Sequence, residues 1–341
     1  QAGELVGGAS EPRISAAECR KVYEVMVRVE EMDKLFLMAQ RQGRLSFYLS
    51  STGEEGVAVG AASALDAGDV ILAQYREQGA LAWRGFTLEQ FADQCYGNLD
   101  GHAKGRQMPI HYGSAALRWQ TISSPLATQL SHATGVALAL KTRARVARED
   151  GDDDPPRNCA VAFFGEGAAS EGDFHAALNF AATLASPCLF VCRNNGYAIS
   201  TPSREQMLGD GIASRAAGYG VHALRVDGND ALAVREAVAA ARALCVRESA
   251  PVIVGAGALA AAINCSSEGN GASSPSVPRA RTSVMSCRHR RTSTRRTRHA
   301  GRTDNTMRGH LLLFLLAPAH GWTARSHSSV QRARSVQLPM K

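Results

Sequence analysis

At 341 residues the chain is long enough for one large α/β domain or two smaller ones, and an apolar content of 45% supplies a sizeable core. The net charge of +7 belongs to one end, because arginine crowds residues 256–341 against only Glu268 and Asp304 and leaves residues 1–255 mildly acidic. These numbers exclude an evenly basic body, and the apolar run at 311–316 is too short to span a bilayer. The cysteines show no CxxC pair and no regular framework, and Cys188 and Cys192 flank the apolar run Leu189-Phe190-Val191 as core residues, so a reducing compartment is expected. No signal peptide is visible, and the chain starts without Met, as a processed or truncated chain would.

The first strong element is a helix over residues 15–42. Ser15 and Glu18 have capping-box spacing, and Val22, Met26, Val29, Leu35 and Phe36 recur at helical intervals before Gly43 ends the run. A second helix is expected over 54–65, a short buried strand over 70–73, and a further helix over 87–96 closed by Gly97. Residues 101–113, rich in Gly, His and Pro, read as a loop. Ser124-Pro125 has the form of an N-cap with proline at the first helical position, opening a long helix to about residue 148. An acidic surface loop fills 149–156. Beyond it strands 159–164, 188–192, 223–226 and 252–254 alternate with helices 174–184, 211–218 and 231–246. Near-continuously apolar strands separated by helices predict a doubly wound α/β fold, a mainly parallel sheet with helices on both faces. The expected organisation is a helical arm over 1–49, the α/β domain over 50–255, and a basic Ser/Arg-rich tail over 256–341. Within that tail, 266–308 has no period and too little apolar surface to offset its ordering entropy, so disorder is expected.

In an open α/β sheet ligands bind beyond the carboxyl ends of the strands. Two loops fall there: Gly165-Glu166-Gly167-Ala168-Ala169-Ser170 and Arg193-Asn194-Asn195-Gly196-Tyr197, one βαβ unit apart. Glu166 is a hard oxygen donor between glycines, Asn195 offers an amide oxygen, and the turn at Gly196-Tyr197 can present a carbonyl. That set leaves three octahedral positions on Mg²⁺ for phosphate oxygens and a water. Arg193, Arg76 at another strand end, and a helix N-terminus near Gly172 add positive charge for a diphosphate. The first loop alone would equally suit a dinucleotide or a tight strand–helix turn, but a dinucleotide fold expects an acid after the next strand, where this chain has Arg193 and Asn194. His111, in its Gly/Pro loop, and His132 are read as substrate-facing or structural. Met26 and Met32 read as packing residues, and Asp152 to Asp154 as a solvated loop.

The segments FGEGAASEGDFHAALNFAATL, CRNNGYAISTP, QYREQG, KGRQMPIHYG and TISSPLATQ together resemble the alpha subunits of branched-chain 2-oxo acid dehydrogenases over about residues 12–254. The resemblance implies the thiamine diphosphate-binding fold, with Mg²⁺ on Glu166, Asn195 and the Tyr197 carbonyl. It implies thiamine diphosphate contacts from Tyr75, Arg76, Ser124, Leu126, Gly167, Ala168 and Arg193. Ser123, Pro125, Thr128 and Gln129 match the family's potassium site, which steadies the loop presenting Ser124 and Leu126. The implied reaction is oxidative decarboxylation of a branched-chain 2-oxo acid such as 3-methyl-2-oxobutanoate, with the acyl group passing to the lipoyl group of a transacylase core. A beta subunit completes the site in an expected α2β2 heterotetramer, in the mitochondrial matrix of a eukaryote or the cytoplasm otherwise. No membrane partner is implied.

After Val254 the pattern departs from the family. Its Thr-Tyr-Arg segment and its Gly-His-His-Ser loop, bearing an active-site histidine and a phosphorylated serine, have no counterpart here, so no catalytic residue is assigned. Such a switch is expected from a frameshift, a retained intron or a faulty gene assembly. His289 and His299 in the Arg-rich run are not promoted to catalysts. Two alternatives stay open at this point. One is an impaired variant acting as a non-catalytic partner subunit, and the other is nucleic-acid binding through the basic tail, which lacks interleaved aromatics.

Overall fold

The computed structural model describes residues 13–209 and 211–257. The expectations for 1–12 and for 258–341, including disorder of 266–308, the apolar run at 311–316, His289 and His299, lie outside the described residues.

The chain opens with helix α1 (Ala16–Arg41), capped by Ser15 with both halves of the capping box formed. Its buried face, Val22, Val25, Val29 and Met32, meets α2 (Glu55–Ser63) and α3 (Gln78–Trp83), which flank strand β1 (Val70–Leu72) in sequence. Helix α4 (Leu88–Tyr96) carries a second complete capping box, at Thr87 and Gln90, and ends at Gly97 in the left-handed conformation, φ 72°. There follow α5 (Thr128–Glu149), β2 (Ala160–Gly165), α6 (Gly172–Thr183) and β3 (Cys188–Asn194). A small hairpin of β4 (Tyr197–Ala198) and β5 (Thr201–Pro202) leads through the single turns α7 (Ser203–Gln206) and α8 (Ala216–Tyr219) to β6 (His222–Asp227), α9 (Ala231–Glu248) and β7 (Val252–Gly257).

The main sheet is entirely parallel in the order β1-β2-β3-β7-β6. Its strands are apolar on both faces, and alternate residues go to opposite cores. Ile71, Val161, Phe163, Leu189, Val191, Val252 and Val254 pack with α1, α2, α4 and α9, while Leu72, Ala162, Phe164, Phe190 and Ile253 pack with α5 and α6. Adjacent Phe163 and Phe164 are both fully buried on opposite sides, each burial stabilising the fold by about 1.5–3 kcal/mol. The doubly wound sandwich expected from the sequence is what forms. The apolar face of α1 belongs to the same core as β1–β3, and β7 runs two residues past position 255.

Two local expectations are corrected, and two short elements are added. The long helix begins at Thr128 rather than at Ser124-Pro125, since Ser124 Oγ is held 2.6 Å from His111 Nε2 and Ala127, at φ 63°, interrupts the backbone. Residues 211–218 make a 3₁₀ turn (Ala213–Arg215) and one helical turn, not a helix, with Gly211 at φ 87° at the start. Helix α3 and the β4–β5 hairpin are too short to carry a periodic signal.

The described cysteines, Cys19, Cys95, Cys159, Cys188, Cys192 and Cys245, are free thiols, and Cys188 and Cys192 are buried. Among the described residues no helix is long and apolar enough to cross a membrane.

Candidate functional site

Strands β1, β2 and β3 end side by side, and Gly165 pairs in register with Arg193, so the two sequence-identified loops leave the sheet as neighbours. Residues following β1 complete the floor. Gln74 Oε1 accepts the Gly165 amide at 2.7 Å, which ties the β1 exit to the turn bearing Glu166. Arg193, 3% exposed, is gripped by two buried carboxylates: Nε donates to Glu77 Oε1 at 2.5 Å, and Nη1 donates to Glu54 Oε2. Its Nη2 lies 3.5 Å from Gln74 Oε1. Glu54 also accepts from Asn195 Nδ2 at 2.6 Å, which fixes the amide so that Asn195 Oδ1 accepts the Tyr197 amide at 3.0 Å. Glu54 therefore clamps the second loop from its far side. Burial of a charge demands such pairing, since an unpaired ion there would cost several kcal/mol, about 3–5 by typical pair-breaking measurements.

Glu166 is the exception. It is 2% exposed, and its Oε1 has no hydrogen-bond partner. Burial pushes its carboxyl up to about 7; hydrogen bonding to its own amide and the Arg193 charge offset part of this, and the Glu54 charge adds to it. Glu54, by contrast, is held below the usual carboxylate range, because Arg193 and the Asn195 amide outweigh its burial. Arg193 is held above the ordinary guanidinium range by Glu54 and Glu77 despite its burial. Around Glu166 three buried or partly buried carboxylates thus face two guanidinium groups, Arg193 and half-buried Arg76, whose Nη1 donates to the Ser50 carbonyl. A divalent cation would offset the excess negative charge and give the stranded oxygen a partner. Among the described residues no three His, Cys, Asp or Glu side chains cluster to hold a metal.

The Glu166–Ser170 segment is a 3₁₀ turn running into α6. A Cβ placed on Gly167 would lie 2.7 Å from Ala198 Cβ, so the β4–β5 hairpin sits directly over this turn and only glycine fits beneath it.

A family model described as Dehydrogenase E1 component matches residues 23–258, more than two thirds of the chain. The chain belongs to the dehydrogenase E1 component family. This E1 chain is similar to the Arabidopsis thaliana 2-oxoisovalerate dehydrogenase subunit alpha 1, mitochondrial, at 53% identity over 234 residues, which cover 69% of this chain and 47% of that one. It is 50% identical to the Caenorhabditis elegans subunit alpha over 252 residues (74% and 56% of the two chains) and 49% identical to the Homo sapiens subunit over 252 residues (74% and 54%). The E1 chain thus spans about half the length of the curated relatives it matches. Among solved structures, transketolase from Leishmania mexicana matches with a TM-score of 0.44 at 18% identity, covering 63% of this chain and 30% of that one.

Within the E1 chain the sequence-identified residues fall into two groups. Glu166, Gly167, Ala168, Arg193, Asn195 and Arg76 converge at the ends of β1–β3, and Tyr75 packs half-buried against the core beside them. Tyr197 is 48% exposed at the hairpin. Ser124 and Leu126 are exposed on the turn before α5. His111 is 5% exposed. Its Nδ1–H donates to the Pro109 carbonyl at 2.9 Å, and its Nε2 lies 2.6 Å from the Ser124 hydroxyl oxygen.

Ser123 and Gln129 line a cavity of about 540 Å³ against Leu72 and Ala73, which His132 also borders, whereas Pro125 is exposed and Thr128 half-buried. Gln129 Nε2 donates to the Phe163 carbonyl at 2.9 Å, and its buried Oε1 lacks a partner.

Sequence reasoning missed Glu54, Gln74 and Glu77. Their signal was present in Gln74-Tyr75-Arg76-Glu77, a polar run placed directly after an apolar strand, and in Glu54, placed directly before the apolar helix α2. Only Tyr75 and Arg76 were drawn from it.

Proposed function

We propose that this chain is the alpha subunit of a branched-chain 2-oxo acid dehydrogenase, binding thiamine diphosphate through Mg²⁺ at the β1–β3 edge. The observation that carries this reading is Glu166, a buried carboxylate with an unpartnered oxygen beside Asn195, whose amide is pre-set by Glu54. Glu166, Asn195 and the Tyr197 carbonyl would hold the metal. Arg76, Arg193 Nη2, Gly167 and Ala168 would meet the diphosphate, with Tyr75, Ser124 and Leu126 along the rest of the cofactor. Gly167 suits the role because a side chain there has no room. When bound, thiamine diphosphate supplies the nucleophilic carbon and the electron sink for decarboxylation.

The protein's own groups orient and desolvate. Glu54 and Glu77 fix Arg193, Gln74 fixes the Gly165 turn, and His111 fixes the Ser124 hydroxyl. A K⁺ ion on Ser123, Pro125, Thr128 and Gln129 would satisfy the stranded Gln129 Oε1 and steady the Ser124–Leu126 turn. The substrate class is the branched-chain 2-oxo acid, as the names of the 2-oxoisovalerate dehydrogenase relatives suggest, with acyl transfer to a lipoyl-bearing transacylase. A beta subunit is the expected partner, and the relatives, named as mitochondrial, support a location in the mitochondrial matrix if the source is a eukaryote.

The test is Mg²⁺-dependent thiamine diphosphate binding by the chain co-produced with a beta subunit, measured by calorimetry. Binding that requires Mg²⁺ and is lost in Glu166→Ala is expected, and binding unaffected by that substitution would overturn the metal assignment.

A further inference from the structure

The loop over 101–113, with Thr121, lines a second cleft of about 330 Å³, bordered by His102, Lys104, Arg106, Gln107 and His111, and Thr121 also borders the cavity beside Ser123 and Gln129. Every named side chain carries a hydrogen-bond donor or a ring that can bear one, and no carboxylate lines the cleft. Among the described residues neither Lys104 nor Arg106 has an ion-pair partner, whereas the guanidinium groups of Arg193 and Arg242 are neutralised by carboxylates.

The loop holding these cations is fixed at several points. The His102 ring stacks on Phe86 with centroids 5.4 Å apart, and Gln90 Nε2 lies 3.2 Å from its Nε2. Gln94, 5% exposed, donates to the Met108 carbonyl at 3.0 Å. The amide of Lys104 donates to the Gly101 carbonyl at 2.8 Å, and that of Arg106 to the Ala103 carbonyl at 3.0 Å. His111 forms the wall, pinned at Pro109 and Ser124. A concave surface on a loop whose main chain is held in place, with an ammonium, a guanidinium fork and neutral donors and no acid of its own, is complementary to a ligand that accepts hydrogen bonds.

We propose that this cleft is a binding site for a small oxyanion, a carboxylate or a phosphate group, separate from the metal site at Glu166. The inference stands on the cleft's own lining and does not depend on the cofactor reading.

Inorganic phosphate titrated into the full chain at low ionic strength, followed by calorimetry, tests it. Saturable binding is expected in the wild type and in Glu166→Gln, and binding at least tenfold weaker is expected in the Lys104→Gln/Arg106→Gln double variant, since each lost charge-assisted contact is worth about a factor of ten. Both substituted side chains are exposed, so an unchanged far-ultraviolet circular dichroism spectrum and thermal midpoint will show that the fold is intact. Displacement of the phosphate by 3-methyl-2-oxobutanoate would assign the site to a carboxylate ligand, and no displacement would assign it to phosphate. Wild-type chain that fails to bind phosphate saturably, or a double variant that binds it as the wild type does, overturns the proposal. Loss of binding in Glu166→Gln with retention in the double variant does the same, because the phosphate would then sit in the other site.

Discussion

Glu166 makes the residue scale measurable. Its carboxyl lies at about 7 against an ordinary 4.5, so in the metal-free protein its contribution to stability is complete below 4.5 and is lost as pH rises through about 7. A bound divalent cation needs the ionised form and reverses the preference. Magnesium-dependent cofactor binding should therefore strengthen as pH rises toward 7, level off above it, and release up to one proton near pH 6. Calorimetry in two buffers of different ionisation enthalpy reads that proton directly. Equal heats in both buffers would remove Glu166 from the metal site, and Glu166→Gln should abolish the release. Glu54 acts one contact away. Glu54→Gln leaves one acceptor oxygen where two are used, by Arg193 and Asn195. It should cost about 1–3 kcal/mol in urea unfolding and weaken cofactor binding through a loosened Asn195 loop. Unchanged stability would show that Glu77 alone suffices to hold Arg193.

At the scale of elements, α2 shows how closely the layers are set. A Cβ on Gly60 would lie 2.5 Å from the Ala231 carbonyl and 3.1 Å from Val234 Cβ, so α2 touches the start of α9 through bare backbone. Gly60→Ala should destabilise the fold by about 1–3 kcal/mol through overpacking, outweighing its gain in helix propensity, and urea midpoints would show it. A more stable variant would mean that α2 can slide. Elements of this kind were legible in the sequence where several signals agreed: the capping box at Ser15, the helix closed by Gly97, and the unbroken apolar runs at 159–164 and 188–192. The two candidate loops were legible for the same reason, as each follows such a strand. Ser124-Pro125 misled because the serine hydroxyl that would cap a helix is taken by His111, a tertiary contact thirteen residues away that no local rule encodes. Glu54 and Glu77 stayed hidden because their meaning is burial against Arg193, far off in sequence.

For the whole molecule, the arrangement separates holding from reacting. The parallel sheet carries β1, β2 and β3 to one edge, where buried charges fix the proposed cofactor cradle, whose parts all lie between residues 50 and 200. His111 is tied down at both nitrogens, and the family's Gly-His-His-Ser loop is not in this sequence. Binding and turnover should therefore part company. Co-produced with a beta subunit, the full chain should take up thiamine diphosphate and Mg²⁺ normally. Its decarboxylation of 3-methyl-2-oxobutanoate should run about 10²- to 10⁴-fold below that of a subunit bearing the loop, the range a positioned proton-transfer group contributes. A steady-state assay paired with cofactor titration separates the two quantities. Full turnover would show that a histidine elsewhere in the chain, or on the partner, does the work of the absent loop.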